Sequence, residues 1–392
     1  MFPFMKRLFF LLFILFNLLP GRANSAAADS IQLSLLTCAP GSEIYSLWGH
    51  TAIRYQNFTQ KKDWVFNYGM FSFKTPHFVY RFVKGETDYQ LGVTPYEYFE
   101  SEYALRGSSV IQQTLNLTQE EKVRLYQLLL INYQPENRVY RYNYFFDNCT
   151  TRARDMIERA IQGKVVYPAD PSEASFRSDI HLRTTDSPWG ELGIDLCLGS
   201  EADEPIGVKE RQFSPYYMME SARKAVITQG NQQRPLLSSE TKIVDVEPYV
   251  QDSSYPSPLL VCWGIFILGA ILSAFRLKTG KRFWAWDVFW LFLQGVSGCV
   301  IAFLFFFSTH PTVGSNWMLL FLQPLPLFYL PWLIYHEFKG MKEPFYLYNA
   351  IYLTFFIILI PVIPQDFNSS VLPLALNLLV SSVSRVWMMR RK

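Results

Sequence analysis

Five apolar runs crowd the last third of this 392-residue chain, at residues 259–275, 283–307, 317–335, 345–363 and 371–389. Each is long enough, or nearly so, to cross a hydrocarbon core, which takes about 20 residues of helix. Lipid offers the backbone no hydrogen-bond partners, so apolar runs of this length cross as helices. That feature predicts a five-helix all-α transmembrane region over 258–392 and excludes an ordinary soluble reading of the whole chain. The charges predict its orientation. With the segment before Pro258 outside, the ten basic residues of this half (Arg276, Lys278, Lys281, Arg282, Lys339, Lys342, Arg385, Arg390, Arg391 and Lys392) all fall on the cytoplasmic side. The outer loops, 308–316 and 364–370, have no Lys or Arg, which is a positive-inside pattern. The C-terminus is therefore expected in the cytoplasm. Pro324, Pro326 and Pro331 interrupt the third run, so it is expected to be broken. Broken helices suit a wall facing protein or a water-filled cavity. His310 and Asn316 lie on the loop just before it, as polar groups at the outer surface that could face an exported domain or a lipid headgroup.

The N-terminus agrees independently. Lys6 and Arg7 precede an apolar run at 8–19, then Pro20-Gly21 and a small-residue stretch at 23–28. This is the layout of a secretory signal peptide, expected at 1–28. The chain thus divides into a signal, an exported domain at 29–228, a linker at 229–257 rich in Gln, Ser and Pro, and the membrane region. A net charge of +3 excludes a strongly basic nucleic-acid binder. Ten basic and four acidic residues give the membrane half +6, so the charge reports topology. Five cysteines do not make a disulfide scaffold. Cys38 and Cys197 are a candidate pair in an oxidising compartment; Cys262 and Cys299 fall in membrane runs.

The exported segment reads as α+β. Residues 33–36, 51–55 and 64–68 are expected strands, the last two forming a hairpin around a polar turn. Thr118 and Glu121 form a capping box that opens a helix ending before Pro135. A second helix is expected from Cys149 to about Gly163, with short helices at 172–183 and 214–226 and a loop at 192–205. No glycine-rich phosphate loop, GxSxG or HExxH occurs. No cofactor is implied, and no spacing supplies the three or four close ligands of a zinc site.

The strongest chemical signal is the stretch FFDNCTTR, residues 145–152. Cys149 stands at the start of an expected helix, where free N–H groups and the helix dipole lower a thiol pKa. The same groups, around Asn148, can hold a developing oxyanion, and Arg152 adds positive charge on the first turn. The other local reading is a buried structural cysteine. A nucleophilic thiol needs a base. Of His50, His77 and His181, His50 is the best placed, at the head of a strand in WGHTAIR. Asn67, on the next strand, is a candidate to orient its ring; the other reading is an Asn bonding local backbone.

The pairing of a strand-leading GHTAIR with a helix-leading DNCTTR resembles the permuted papain-like fold of the NlpC/P60 and lecithin:retinol acyltransferase kind. WGHTAIRY, VFNYGMFSF, FVKGETDYQL, LNLTQEEK and NYFFDNCTTRARD resemble more closely the exported domain of Lnb-type lipoprotein N-acyltransferases, over roughly residues 30–165. The likeness continues more loosely to about 225 and into STHPTVGSNW. What this resemblance implies is an enzyme of the bacterial inner membrane with its catalytic domain in the periplasm. Its activity would be N-acylation of the lipidated N-terminal cysteine of lipoproteins, with a membrane phospholipid or diacyl lipid as donor. Cys149 would then be the nucleophile, His50 its base and Asn67 the third polar residue. The alternatives are a cell-envelope hydrolase with the same dyad (a peptidoglycan amidase or endopeptidase, or a phospholipase) and a non-catalytic membrane scaffold.

Overall fold

The computed structural model of the chain describes residues 30–41, 46–246 and 255–390. The signal peptide expected at 1–28 lies outside the described residues. The exported half is built on a seven-stranded antiparallel sheet in the order β10-β5-β1-β2-β3-β4-β6. Its strands are β1 (Ile31–Cys38), β2 (His50–Asn57), β3 (Lys62–Met70), β4 (Asp88–Pro95), β5 (Val110–Leu115), β6 (Val139–Arg141) and β10 (Leu237–Val244). Period-two alternation gives the sheet two covered faces. Leu33, Leu35, Ile53, Tyr55, Phe66 and Tyr68 pack with α3 (Gln119–Tyr133), α4 (Cys149–Ala160) and α8 (Pro215–Lys224). On the other face Leu36, Cys38, Ala52 and Val65 meet Phe99 and Tyr103 of α2 (Tyr96–Leu105). In α4, Ala153, Met156, Ile157 and Ala160 recur at helical spacing and bury one face, which presses the start of that helix against the strands. The box at Thr118 and Glu121 is present and opens α3.

A short helix, α1 (Phe78–Lys84), leads from β3 to β4. After α4 come β7 (Lys164–Val166), α5 (Phe176–Thr184), α6 (Pro188–Cys197) and α7 (Val208–Arg211). Two expectations fail here. Much of the expected loop at 192–205 is helical, because α6 is tied down by tertiary bonds: buried Asp195 accepts from Arg177 at 3.0 Å and from Asn368 at 2.9 Å. The expected linker at 229–257 is folded as far as Val244. β8 (Val226–Gln229) and β9 (Gln232–Pro235) form a hairpin through Gly230-Asn231, with Gly230 at φ 58°, and they join β7 in a second sheet. A Gly at positive φ in a two-residue loop is the usual hairpin chemistry. β10 then closes the edge of the main sheet on β5, showing Ser and charged side chains to solvent, as edge strands do.

Beyond Pro258 the chain is helical: α9 (Pro258–Thr279), α10 (Trp284–Phe307), α11 (Leu325–Lys339), α12 (Phe345–Leu359) and α13 (Val371–Arg390). Among the described residues four spans, with Trp317–Lys339 taken as one, are long and apolar enough to cross a membrane by length and composition. The fourth expected run, 345–363, is shorter than expected: α12 has 15 residues, about 22 Å of helix. The third run is broken, as its prolines require: a 3-10 turn at Trp317–Leu320 precedes α11, which carries Pro331 inside it. At the end marked by basic residues, Arg276 bonds Asp287 at 2.9 Å and Ser384 at 2.8 Å, and Arg385 pairs with Glu337, linking α9, α10, α11 and α13. Charges buried this deeply in apolar helices are held in pairs because an unpaired one is costly.

The two loops free of Lys and Arg dock on the exported domain. Thr309 N–H donates to Lys84 O at 2.9 Å, and Ser308 Oγ to Val83 O at 2.8 Å. Gly199 N–H donates to Thr312 O at 3.0 Å, and Gln365 Nε2 to Leu198 O at 3.1 Å. The exported domain therefore sits at the end of the helices opposite to their basic residues.

Candidate active site

Asn148 begins the site. Its side-chain oxygen accepts from the N–H groups of Thr150 at 2.8 Å and Thr151 at 2.9 Å, while Thr151 Oγ1 accepts from Asn148 N–H at 2.8 Å. Asn148 Nδ2 donates to the carbonyls of Tyr144 and Phe213. This buried, fully used amide fixes the first turn of α4. The Asn148 side chain thus acts as the cap, and the Thr150 and Thr151 amides, expected as oxyanion donors, are spent on it. The Cys149 N–H has no hydrogen-bond partner among the described residues.

Cys149 is buried, with 7% of its surface exposed. His50, at the head of β2, faces it. Asn67 Oδ1 lies 2.5 Å from His50 Nε2. An amide oxygen can only accept, so Nε2 carries the proton and Nδ1 is left to the thiol. Burial alone pushes the Cys149 thiol up. The His50 charge, the hydrogen bond from His50, the Thr51 N–H and the Thr150 hydroxyl more than offset it and hold the thiol at about 7. Burial pulls His50 down, but the adjacent thiolate and the bonds to Cys149 and Asn67 raise it above its ordinary value. The two groups thus stabilise each other as an ion pair.

Residues that the sequence reading passed over complete the site. Thr51 follows His50 directly, and its hydroxyl meets Thr150 Oγ1 at 3.0 Å. Gly69 lies against both reactive groups. A Cβ there would stand 3.6 Å from Cys149 Cβ, 3.6 Å from Tyr142 Cε2 and 4.0 Å from His50 Cε1. Its φ of 86° and the irregular β3–β4 register between Asn67 and Met70 explain the glycine. Gly49, beside His50, is likewise at positive φ, and a Cβ there would collide with Cys38 O. Tyr142 and Tyr144 are close enough to Cys149 for its charge to add to burial in holding their hydroxyls up. The Tyr144 hydroxyl and the Trp48 indole N–H are buried without a hydrogen-bond partner among the described residues.

Three other expected site residues are elsewhere employed. Arg152 forms a two-pronged bond to Asp147, at 2.5 and 2.7 Å, and lies 3.5 Å over the Tyr140 ring, so its charge is matched locally. His310 Nε2 bonds Phe82 O at 2.6 Å. Asn316 donates to Leu196 O at 2.9 Å and accepts from Met318 N–H. His310 and Asn316 hold the membrane loop to the exported domain instead of reaching the thiol. Cys38 and Cys197 are free thiols, which overturns the candidate disulfide. His181, Glu191 and Asp195 gather with ligand atoms within 4.8 Å. Their atoms are committed to protein: Asp195 to Arg177, His181 and Asn368, and Glu191 to Thr184.

A mixed α/β domain docked on apolar membrane-length helices, with a Cys–His–Asn cluster at its centre, defines a membrane-associated protein. Two family models match it. The Lnb N-terminal periplasmic domain covers residues 22–175, and the Lnb transmembrane domain covers 250–392. The chain belongs to the Lnb family and is a membrane-associated enzyme of the cell envelope. No curated protein and no solved structure matches it.

Proposed function

We propose that the protein is a lipoprotein N-acyltransferase that works through a Cys149 thioester. The observation that carries this reading is the placement of buried Cys149 at the first turn of α4, beside a His50 ring whose Nε2 lies 2.5 Å from Asn67 Oδ1, in an exported domain bonded to the ends of membrane helices. His50 Nδ1 takes the thiol proton. The thiolate attacks the acyl ester carbon of a membrane lipid, and the Cys149 N–H, with the Tyr144 hydroxyl, supports the oxyanion. The new S–C bond forms, the ester C–O bond breaks, and His50 returns the proton to the departing glycerol oxygen. The neutral α-amine of a lipoprotein's lipidated first residue then attacks the thioester. An N–C bond forms, the S–C bond breaks, and His50 takes the proton the amine loses, which restores the His50–Cys149 pair. Exclusion of water from the buried thiol favours amide formation over hydrolysis. Both substrates are lipid-anchored, so holding the catalytic domain at the membrane confines their encounter to a surface. Asn67 keeps the His50 tautomer; the C-terminus lies in the cytoplasm, as the basic residues imply.

The test is mass spectrometry of lipoprotein N-terminal peptides from cells that depend on this chain. Cys149→Ala is expected to leave a free α-amine. Normal N-acylation in that variant contradicts the proposal. A phospholipase would instead release free fatty acid at equal rates with and without an amine acceptor.

A further inference from the structure

Between Gly69 and Gly85, both at positive φ, runs a segment dense in aromatic side chains. Its helix, α1, has no buried residue in seven. A helix that short is not stable in water by itself, and here only Val83 packs against a protein core. Val79 is 73% exposed, Phe73 64% and Tyr80 55%. The charges of α1 do not mark it as a polyanion site, because Arg81 pairs with Asp88 and Lys84 with Glu86. The surroundings say what covers it. Tyr80 meets Phe303 of α10 with ring centres 6.0 Å apart. The carbonyls of Phe82, Val83 and Lys84 are bonded by residues 308–310, just past the end of α10. At that end Phe306 and Phe307 are 66% and 63% exposed, as lipid-facing side chains are. One apolar surface thus continues from the membrane helix onto α1, and a bilayer that covers the first covers the second.

The same rings lead inward. Phe82 stacks on Phe78 at 6.0 Å, Phe78 on Phe71 at 5.7 Å, and Phe71 meets Tyr89 at 5.0 Å. Tyr89 stacks on Tyr142 at 4.2 Å, and Tyr142 borders the Gly69 gap beside Cys149. We propose that residues 70–84 seat in the outer leaflet and that this aromatic row is the path along which a donor acyl chain reaches Cys149. The proposal deepens the transferase reading and rests on its lipid donor. It places entry at α1 and away from the proline-broken third span. The rings fill the path in this structure, so an arriving chain displaces Phe71 or Tyr142 from its stack.

The experiment uses the full chain carrying Cys149→Ala, in phosphatidylethanolamine–phosphatidylglycerol vesicles doped with a phospholipid bearing a diazirine on its acyl chain. After irradiation, adducts are mapped by peptide mass spectrometry. Adducts on residues 71–82 together with Tyr89 or Tyr142 are expected; adducts confined to the membrane helices overturn the path. In the otherwise native chain, Val79→Asp with Tyr80→Asp is expected to slow acyl transfer from bilayer lipid about tenfold, since two apolar anchors are lost. Alkylation of Cys149 by iodoacetamide in that variant stays at the native rate, which separates the effect from misfolding. Unchanged transfer overturns the proposal. Failure of the underlying reading looks different: N-acylation then persists in Cys149→Ala cells, whatever the crosslinks show.

Discussion

Cys38 at the end of β1 and Cys149 at the start of α4 are both buried, and both neighbour His50. Cys38 is its register partner across β1 and β2; Cys149 faces it from the helix. Burial pushes the Cys38 thiol far up, against the Tyr103 hydroxyl and the Arg106 charge. At Cys149 the same burial is outweighed by the His50 charge, its hydrogen bond and the Thr51 N–H. The difference teaches that burial alone pushes a thiol up, and that a helix start and a neighbouring imidazole hold a similarly buried thiol low. It also explains why one histidine serves one cysteine: the strand holds Cys38 in the sheet, while the cap at Asn148 aims Cys149 at the ring.

The comparison can be broken by substitution. Cys149→Ala is expected to abolish transfer, measured with bilayer lipid and a lipopeptide amine, and Cys38→Ala to retain it; the reverse result would exchange the roles of the two thiols. His50→Ala comes next, with a loss of about 100- to 10,000-fold in rate. Its sharper readout is the pH profile of iodoacetamide alkylation at Cys149. In the native chain the thiol is protonated and slow below about 7 and becomes a thiolate above it. Removing His50 leaves burial unopposed by the ring, so the midpoint moves upward. A midpoint unchanged in His50→Ala would show that the helix start alone sets the thiol. Asn67→Ala frees the ring to turn and is expected to cost about 100-fold in rate, as misplacement of a catalytic group does. Its effect on the alkylation midpoint should be smaller than that of His50→Ala. Gly69→Ala forces a side chain into a left-handed backbone, at about 1–2 kcal/mol of stability, read as a lower melting temperature. Cys38→Ala is the smallest, about 1 kcal/mol of stability with native kinetics.

Much of this was legible in the chain. Thr118 and Glu121 announced α3 because a capping box is a local signal. Trp64 to Tyr68 read as a strand because aromatic and β-branched side chains pack on both faces of β3. The placement of His50 and Cys149 was legible because each opens an element. The break in the third span followed from its prolines. What stayed hidden was tertiary. Asn148 looks the same in sequence whether its neighbours' amides are free or capped. Arg152 looks like a free charge until Asp147 and Tyr140 close on it. β10 is polar on its outer edge, so it resembles a linker until β5 supplies the partner strand. His310 and Asn316 read as polar loop residues that could face the exported domain, but only the fold shows that their partners are the carbonyls of Phe82 and Leu196.

The central claim is the acyl group on Cys149. It is tested most directly by incubating the native chain with bilayer lipid and no amine, then weighing the peptide that contains Cys149. The account predicts a mass increase of one acyl chain on that cysteine, removed by hydroxylamine and absent in His50→Ala over the same time. Transfer that proceeds on later addition of the amine, with Cys149 never acylated or the acyl chain found on another residue, would contradict it.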